Sequence, residues 1–141
     1  MKLFFGHSRH QIDAKNRIRI PPKFSEKLGT TFYVARGTGS CIYCFNEETM
    51  EKYTQEFESA PAYEEDKKLS LLRHFFNSVE EVEEDGQGRV LIPKELVDYA
   101  KLEKDIVISG SGDRLEIWNA QVYDEAVGKK SFDQVLSDVR D

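Results

Sequence analysis

The sequence predicts a mainly β fold with short helices, an α+β chain in which two internal repeats close on each other as one pseudo-twofold β-barrel or sandwich. Three observations carry that expectation. Asp13-Ala14-Lys15-Asn16-Arg17-Ile18-Arg19-Ile20-Pro21 aligns with Asp85-Gly86-Gln87-Gly88-Arg89-Val90-Leu91-Ile92-Pro93 at a constant offset of 72 residues, and self-similarity at a fixed spacing marks a repeated supersecondary unit. The likeness continues downstream with a small shift. Gly37-Thr38-Gly39 matches Gly110-Ser111-Gly112, and Ile42-Tyr43-Cys44-Phe45-Asn46 matches Leu115-Glu116-Ile117-Trp118-Asn119. A unit of this size with four short strands buries too little surface to stand alone and leaves strand edges bare. Two such units complete each other.

Each unit reads the same way from its start. The short runs His10-Gln11-Ile12 and Val82-Glu83-Glu84 precede the aspartates, and Arg17 to Ile20 and Arg89 to Ile92 place β-branched residues at period two, so all four read as strands. Asn16 and Gly88 are the residue types that most readily accept positive φ, so a tight turn joins each pair. Pro21 and Pro93 then stop the strands and open short helices over Pro22 to Leu28 and Lys94 to Ala100. Glycine-bearing turns join Thr31–Arg36 to Ser40–Phe45 and Asp105–Ser109 to Arg114–Trp118 as hairpins. Asn46 and Asn119 stand where helix N-caps belong, with Glu47 and Glu48 in one first turn.

Between the units, Ala62 to Ser78 holds Leu69, Leu72, Phe75 and Phe76, with Val79 just beyond, at helical spacing behind a charged start, and predicts an amphipathic connector helix. After Gly128, Phe132, Val135, Leu136 and Val139 alternate with charged residues, as in a short docked helix or a frayed end. The expected organisation is a first repeat over residues 5–55, a helical connector over 56–78, a second repeat over 79–127 and a C-terminal tail over 128–141.

With 141 residues, 39% of them hydrophobic and 33% charged, the chain suits one domain of ordinary size. Its uncharged apolar runs, such as Phe32 to Ala35, fall far short of the ~20 residues that a bilayer span needs. The N-terminal residues lack the apolar core of a secretion signal, so a cytoplasmic protein is expected. Two close cysteines, Cys41 and Cys44, agree with a reducing compartment.

A formal net charge of -6 argues on its face against a polyanionic partner. The average hides an asymmetry. Residues 1 to 36 carry +6, through Lys2, Arg9, Lys15, Arg17, Arg19, Lys23, Lys27 and Arg36 against Asp13 and Glu26, and the remainder carries -12. One basic end on an otherwise acidic chain suits a protein that presents one face to a polyanion.

The Asp-x-x-x-Arg loops are the most specific feature. One reading is structural: Asp13 with Arg17, and Asp85 with Arg89, pair across their own turns while the aspartates also accept backbone N–H groups. The other is functional, and it separates the copies. Arg17 stands among Lys15, Arg19 and Lys23, with Arg9 on the preceding strand, whereas Arg89 follows the acidic block Glu80-Glu81-Val82-Glu83-Glu84-Asp85. The first copy therefore has the outline of a phosphate-binding site with an arginine able to pair bidentately with a guanine edge, and Asn16 beside it suits both the turn and an adenine edge. The acidic copy is expected to pack against the other half, with Arg89 tied to local acids. The expected DNA-binding residues are Arg9, Lys15, Asn16, Arg17, Arg19 and Lys23, and the expected motif residues are Asp13, Asp85, Gly88 and Arg89.

Rival chemistries are weak. Cys41-Ile42-Tyr43-Cys44 has the spacing of a redox or half-zinc motif, but residues three apart on a strand point to opposite faces, and neither cysteine recurs in the second copy. The carboxylates from Glu80 to Asp85 read as a solvated edge that discourages aggregation, or as a charged interface to another subunit. No nucleophile with a base, glycine-rich phosphate loop or nucleotide fingerprint is found in the sequence, so no enzyme, catalytic residue, metal or cofactor is expected.

The doubled pattern Ile12-Asp13-Ala14-Lys15-Asn16-Arg17 through Phe24, repeated as Glu84-Asp85-Gly86-Gln87-Gly88-Arg89 through Pro93, together with Leu115-Glu116-Ile117-Trp118, resembles the MraZ family over roughly residues 1 to 127. That family comprises bacterial transcription regulators with two AbrB-like swapped-hairpin units, of SpoVT-AbrB type, in one chain. The resemblance implies a ring-forming homo-oligomer. It also implies binding to direct repeats of double-stranded DNA in the promoter of the chain's own division and cell-wall gene cluster, repression there, and a place at the nucleoid. Arg17 falls at the family's DNA-contacting arginine, and Asn16 stands where glycine is usual. A ring also reconciles an acidic chain with DNA, because several small basic loops on one rim bind repeated half-sites with avidity when these lie about one helical turn apart. The rival of another class is an oligomeric interaction scaffold whose basic face docks an acidic protein.

Overall fold

The computed structural model describes residues 2–59 and 65–140. Its strands and helices alternate as the repeat predicts. The first unit supplies β1 (His7–Gln11), β2 (Arg17–Arg19), α1 (Pro22–Leu28), β3 (Thr31–Gly37) and β4 (Cys41–Phe45), and is followed by α2 (Glu47–Glu58) and α3 (Glu65–Ser78). The second supplies β5 (Glu80–Glu83), β6 (Arg89–Leu91), α4 (Lys94–Tyr99), β7 (Asp105–Gly110) and β8 (Leu115–Asn119). A short helix α5 (Ala120–Tyr123) runs into a π-helical turn over Asp124–Gly128, and α6 (Phe132–Arg140) ends the described chain.

Pairing runs across the repeats. β1 of the first unit lies antiparallel to β7 of the second, β5 of the second lies antiparallel to β3 of the first, and β2 pairs with β6. Neither unit can therefore finish its own sheet. The larger sheet has the order β1-β7-β8-β4-β3-β5, and β2-β6 forms a separate two-stranded ribbon.

The expected closed barrel is corrected here. Among the described residues the larger sheet is open, with β1 and β5 as its two edges. The tight turn after each edge strand folds β2 and β6 away from the sheet, and these three-residue strands spend their pairing on each other rather than on bridging the edges. The acidic strand β5 is thus an edge, its three glutamates exposed and only Val82 turned partly inward, a position open to both readings of the acidic run, solvated edge or charged interface.

One face of the sheet packs against the ribbon together with α1 and α4. There Ile18, Ile20, Val90 and Ile92 meet Phe24, Leu28, Leu96 and Ala100, and all of them join the inward residues of the central strands in one cluster. The opposite face is covered by helices: Phe45 packs with Tyr53 of α2 and Phe75 of α3, and Trp118 packs with Tyr123 of α5. Cys41 belongs to this outer face and Cys44 to the inner core, as the spacing of three along a strand predicted.

Local chemistry sets the element ends. Asn46 accepts the Thr49 N–H at 3.0 Å and Asn119 accepts those of Gln121 and Val122, so both predicted asparagines cap their helices. Their amide nitrogens donate to the carbonyls of Lys27 and Lys101, tying each cap to the end of the preceding short helix. The connector forms a helix over Glu65–Ser78, and the predicted start at residues 62–64 lies outside the described residues. The tail does form a helix, but none of its residues is buried.

Candidate nucleic-acid interface

The two Asp-x-x-x-Arg loops are built alike, atom for atom. In the first, Asp13 Oδ1 accepts the N–H groups of Lys15 at 2.9 Å and Arg17 at 2.8 Å, while Oδ2 accepts Arg17 Nε at 2.7 Å. In the second, Asp85 Oδ1 accepts from Gln87 and Arg89, both at 2.9 Å, and Oδ2 accepts Arg89 Nε at 3.0 Å. The backbone closes both turns, from Asn16 N to Asp13 O and from Gly88 N to Asp85 O. Asn16 and Gly88 take φ of 61° and 75°, the left-handed values that require these residue types. The backbone N–H of Arg17 above all, with the side-chain bond from the same residue and the Lys15 N–H, holds the Asp13 carboxyl below its ordinary value. Asp85 is held down in the same way by Arg89 and Gln87.

The aspartates are therefore turn residues, and their work has a consequence for the arginines. Each carboxylate engages only Nε, so among the described residues the two terminal nitrogens of Arg17 and of Arg89 carry no hydrogen bond. The guanidinium is steered by one edge and presents the other, the arrangement that bidentate recognition of a base edge or phosphate uses.

The ribbon register decides which side chains share a face. Arg17 lies opposite Leu91, Ile18 opposite Val90, and Arg19 opposite Arg89. Ile18 and Val90 are buried, so the alternate positions face outward together, and Arg17, Arg19, Arg89 and Leu91 share one face on which Arg19 and Leu91 are exposed and Arg17 and Arg89 half-buried. Charge context had set Arg89 apart in sequence, yet the structure brings it beside Arg19. The signal was available: strands related by a pseudo-twofold pair at its axis, and period two puts the same alternate positions of both strands outward.

The other candidates disperse. Lys15 is exposed on the Arg17 loop and Asn16 shapes that loop. Lys23 lies over the Phe24 ring at 4.7 Å from its centroid, beside Gly6 and within electrostatic reach of His10. Burial and Lys23 together lower the His10 pKa. Arg9 is committed elsewhere, donating to Asp124 at 2.6 Å on the far edge of the sheet. Burial pushes the Cys41 thiol up to about 12 and Cys44 higher still, so neither is poised as a thiolate. Among the described residues no group of three or more His, Cys, Asp or Glu side chains is arranged to hold a metal ion. No helix there is long and apolar enough to cross a membrane.

Fold and site define a class: a chain of two mutually completing β-rich repeats that displays arginines on a shared ribbon. The family model described as "MraZ protein, putative antitoxin-like" matches the chain twice, over residues 3–73 and 75–137. Relatives named "Transcriptional regulator MraZ" are found in Lactiplantibacillus plantarum, 39% identical with 99% of each chain covered, and in Desulforamulus reducens, 35% identical with the same coverage. Another, from Carboxydothermus hydrogenoformans, is 38% identical over 86% of this chain and 84% of its own. The chain belongs to the MraZ family. That family carries the name of a transcriptional regulator and not of an enzyme.

Proposed function

We propose that this protein is a sequence-specific DNA-binding transcriptional regulator, acting as a repressor of its own division and cell-wall gene cluster from the cytoplasmic nucleoid. The observation that carries the reading is the outward face of the β2-β6 ribbon, where three arginines stand together and two of them are held by an aspartate at Nε with their terminal nitrogens uncommitted. Arg17 reads a base edge. Lys15 and Arg19 contact phosphates, Asn16 sets the loop that carries Lys15 and Arg17, Lys23 extends the basic surface away from it, and Arg9, paired with Asp124, stands at the far edge. Asp13, Asp85 and Gly88 act by shaping the two turns. Arg89 adds to the same face but is weakened by the acidic run Glu80 to Asp85 that leads into its loop.

The two units, residues 5–55 and 79–127, act as AbrB-like swapped-hairpin copies, an interpretation supported by the cross-repeat pairing, with the connector over 56–78 and the tail over 128–141 outside the DNA face. The functional form is a homo-oligomeric ring. A single ribbon on a chain of net charge -6 binds weakly, and several ribbons on one rim bind direct repeats with avidity.

The test is a mobility-shift titration against the promoter upstream of the protein's own gene, with scrambled competitor DNA and a salt series. Specific binding is expected to resist the competitor and to weaken steeply as salt rises, because each phosphate contact releases counterions. Arg17→Ala is expected to remove the specific shift while the assembly keeps its size. A wild-type protein that shifts no promoter DNA at low salt sinks this reading in favour of a scaffold that docks an acidic protein through the same basic face.

A further inference from the structure

The C-terminal helix α6 has a partner-shaped face and no partner. Phe132, Val135, Leu136 and Val139 fall at i, i+3, i+4 and i+7, one stripe of the helix, and this spacing is the signature of a helix that lays its apolar side in a groove. Phe132 and Val139 are each 80% exposed. Asp133 and Asp138 flank the stripe on its two sides. Among the described residues Asp133 makes no ion pair, while Asp138 is held by Lys130 at 2.8 Å.

A groove with the matching character lies on the outer face of the sheet. It is a cavity of about 640 Å³ between α2, α3 and the ends of β3 and β4, floored by Tyr43, Tyr53, Phe75 and Tyr99 and edged by Leu71. Leu71 is 67% exposed. Arg36 stands at the rim, its guanidinium 5.8 Å from the Tyr99 ring centroid, with no side-chain hydrogen bond or ion pair among the described residues. Such a cavity is walled for an apolar occupant that brings a carboxylate, and α6 carries both.

Within one chain the two surfaces do not meet. Asp124, at the start of the turn that leads to α6, is tied to Arg9 on the edge strand β1. The groove sits at β3 and β4, the fourth and third strands along from that edge, which is roughly 14–19 Å at ordinary strand spacing. Residues 129–131 link the turn to the helix, and in this chain no residue of α6 is buried or lines the groove.

We propose that α6 of one copy docks into the α2/α3 groove of a second copy, with Phe132, Val135, Leu136 and Val139 against the tyrosine floor and Asp133 toward Arg36. Helix and groove are different surfaces, so the contact is head-to-tail, and each copy gives one helix and receives one until the assembly closes. This deepens the homo-oligomer reading above, rests on it, and is independent of DNA.

Two exposed substitutions separate the halves of the contact: Val135→Asp spoils the helix and leaves the groove, and Leu71→Asp spoils the groove and leaves the helix. Light scattering after gel filtration, with circular dichroism to show that each variant is folded, is expected to give an oligomer for the unsubstituted chain and a monomer for either variant. Mixing the two variants is expected to give a dimer and nothing larger, since one intact helix and one intact groove remain. Variants that keep the wild-type size overturn this interface while leaving an oligomer standing. Monomeric variants that fail to dimerise on mixing also overturn it. A wild-type chain that is itself monomeric overturns both this interface and the oligomer reading beneath it.

Discussion

The Arg17 and Arg89 loops share their hydrogen bonds but not their surroundings. In both, an aspartate accepts two backbone N–H groups and one arginine Nε, and a positive-φ residue closes the turn. What differs is the charge alongside: Lys15 and Arg19 in one copy against Gln87 and Leu91 in the other, and an acidic edge strand leading into the second loop alone. The shared part is what a turn needs to fold, and the part that differs is what a polyanion senses. Substitutions that treat the loops unequally therefore report function, and those that treat them equally report folding.

The largest difference is expected in DNA binding. Losing a bidentate arginine contact costs about 1–3 kcal/mol per site, and an oligomer that binds through several ribbons loses one at each. Arg17→Ala is expected to weaken promoter binding more than about a hundredfold in fluorescence anisotropy, and Arg89→Ala by about tenfold. Equal losses would erase the functional distinction between the loops and make the ribbon a symmetric reader.

A second contrast concerns the glycines that end the third strand of each unit. A Cβ at Gly110 would meet the backbone of Phe4 and Phe5 at 2.5 Å, where Phe4 also exchanges backbone hydrogen bonds with Gly112. At the equivalent Gly37 it would meet the Tyr43 ring and Cys41 Sγ, which are side chains. Gly110→Ala is expected to destabilise by about 1–3 kcal/mol in urea unfolding, as overpacking against an unyielding neighbour does, and to expose the segment around Phe5 to protease. Gly37→Ala is expected to cost less, because a ring can turn aside.

Turn conformation gives a smaller effect of the same kind in both loops. Gly88 has open space where a Cβ would stand, so Gly88→Ala meets only the left-handed backbone penalty, about 1 kcal/mol. Asn16→Gly, which installs in the first loop the residue of the second, is expected to shift stability by less than about 0.5 kcal/mol. A large loss for Asn16→Gly would assign its side chain a role beyond the turn.

These contrasts also show what could be read from the sequence alone. The repeat, both turns, the short helices after Pro21 and Pro93, the hairpins and the asparagine caps were all legible, because each depends on residues a few positions apart. The opposite faces of Cys41 and Cys44 followed from strand period alone. The open sheet was not legible, since whether β2 and β6 bridge the edges or pair with each other depends on contacts across 72 residues. For the same reason Arg89 looked remote from Arg19, and Arg9 looked like part of the basic cluster although it is tied to Asp124. Charge context along the chain is a poor guide where strands exchange between repeats.

The smallest expected effect is one in which the loops should not differ. Both aspartates are held below their ordinary pKa, chiefly by the backbone N–H of the arginine four residues on, so the folded state favours the ionised form of each. That contribution is complete above the unfolded aspartate value of about 3.9 and is lost as pH falls through the lower folded value. Asp13→Asn and Asp85→Asn are each expected to lower the melting temperature at pH 6 and to converge on the unsubstituted protein once the pH has fallen through the folded aspartate value, by similar amounts in the two loops. A matched pair of pH profiles ties the shared geometry to folding, and any remaining difference between the loops in DNA binding then belongs to the charges around them. A loss confined to Asp13→Asn would mean instead that the acidic edge strand already costs the second turn the stability its carboxylate supplies.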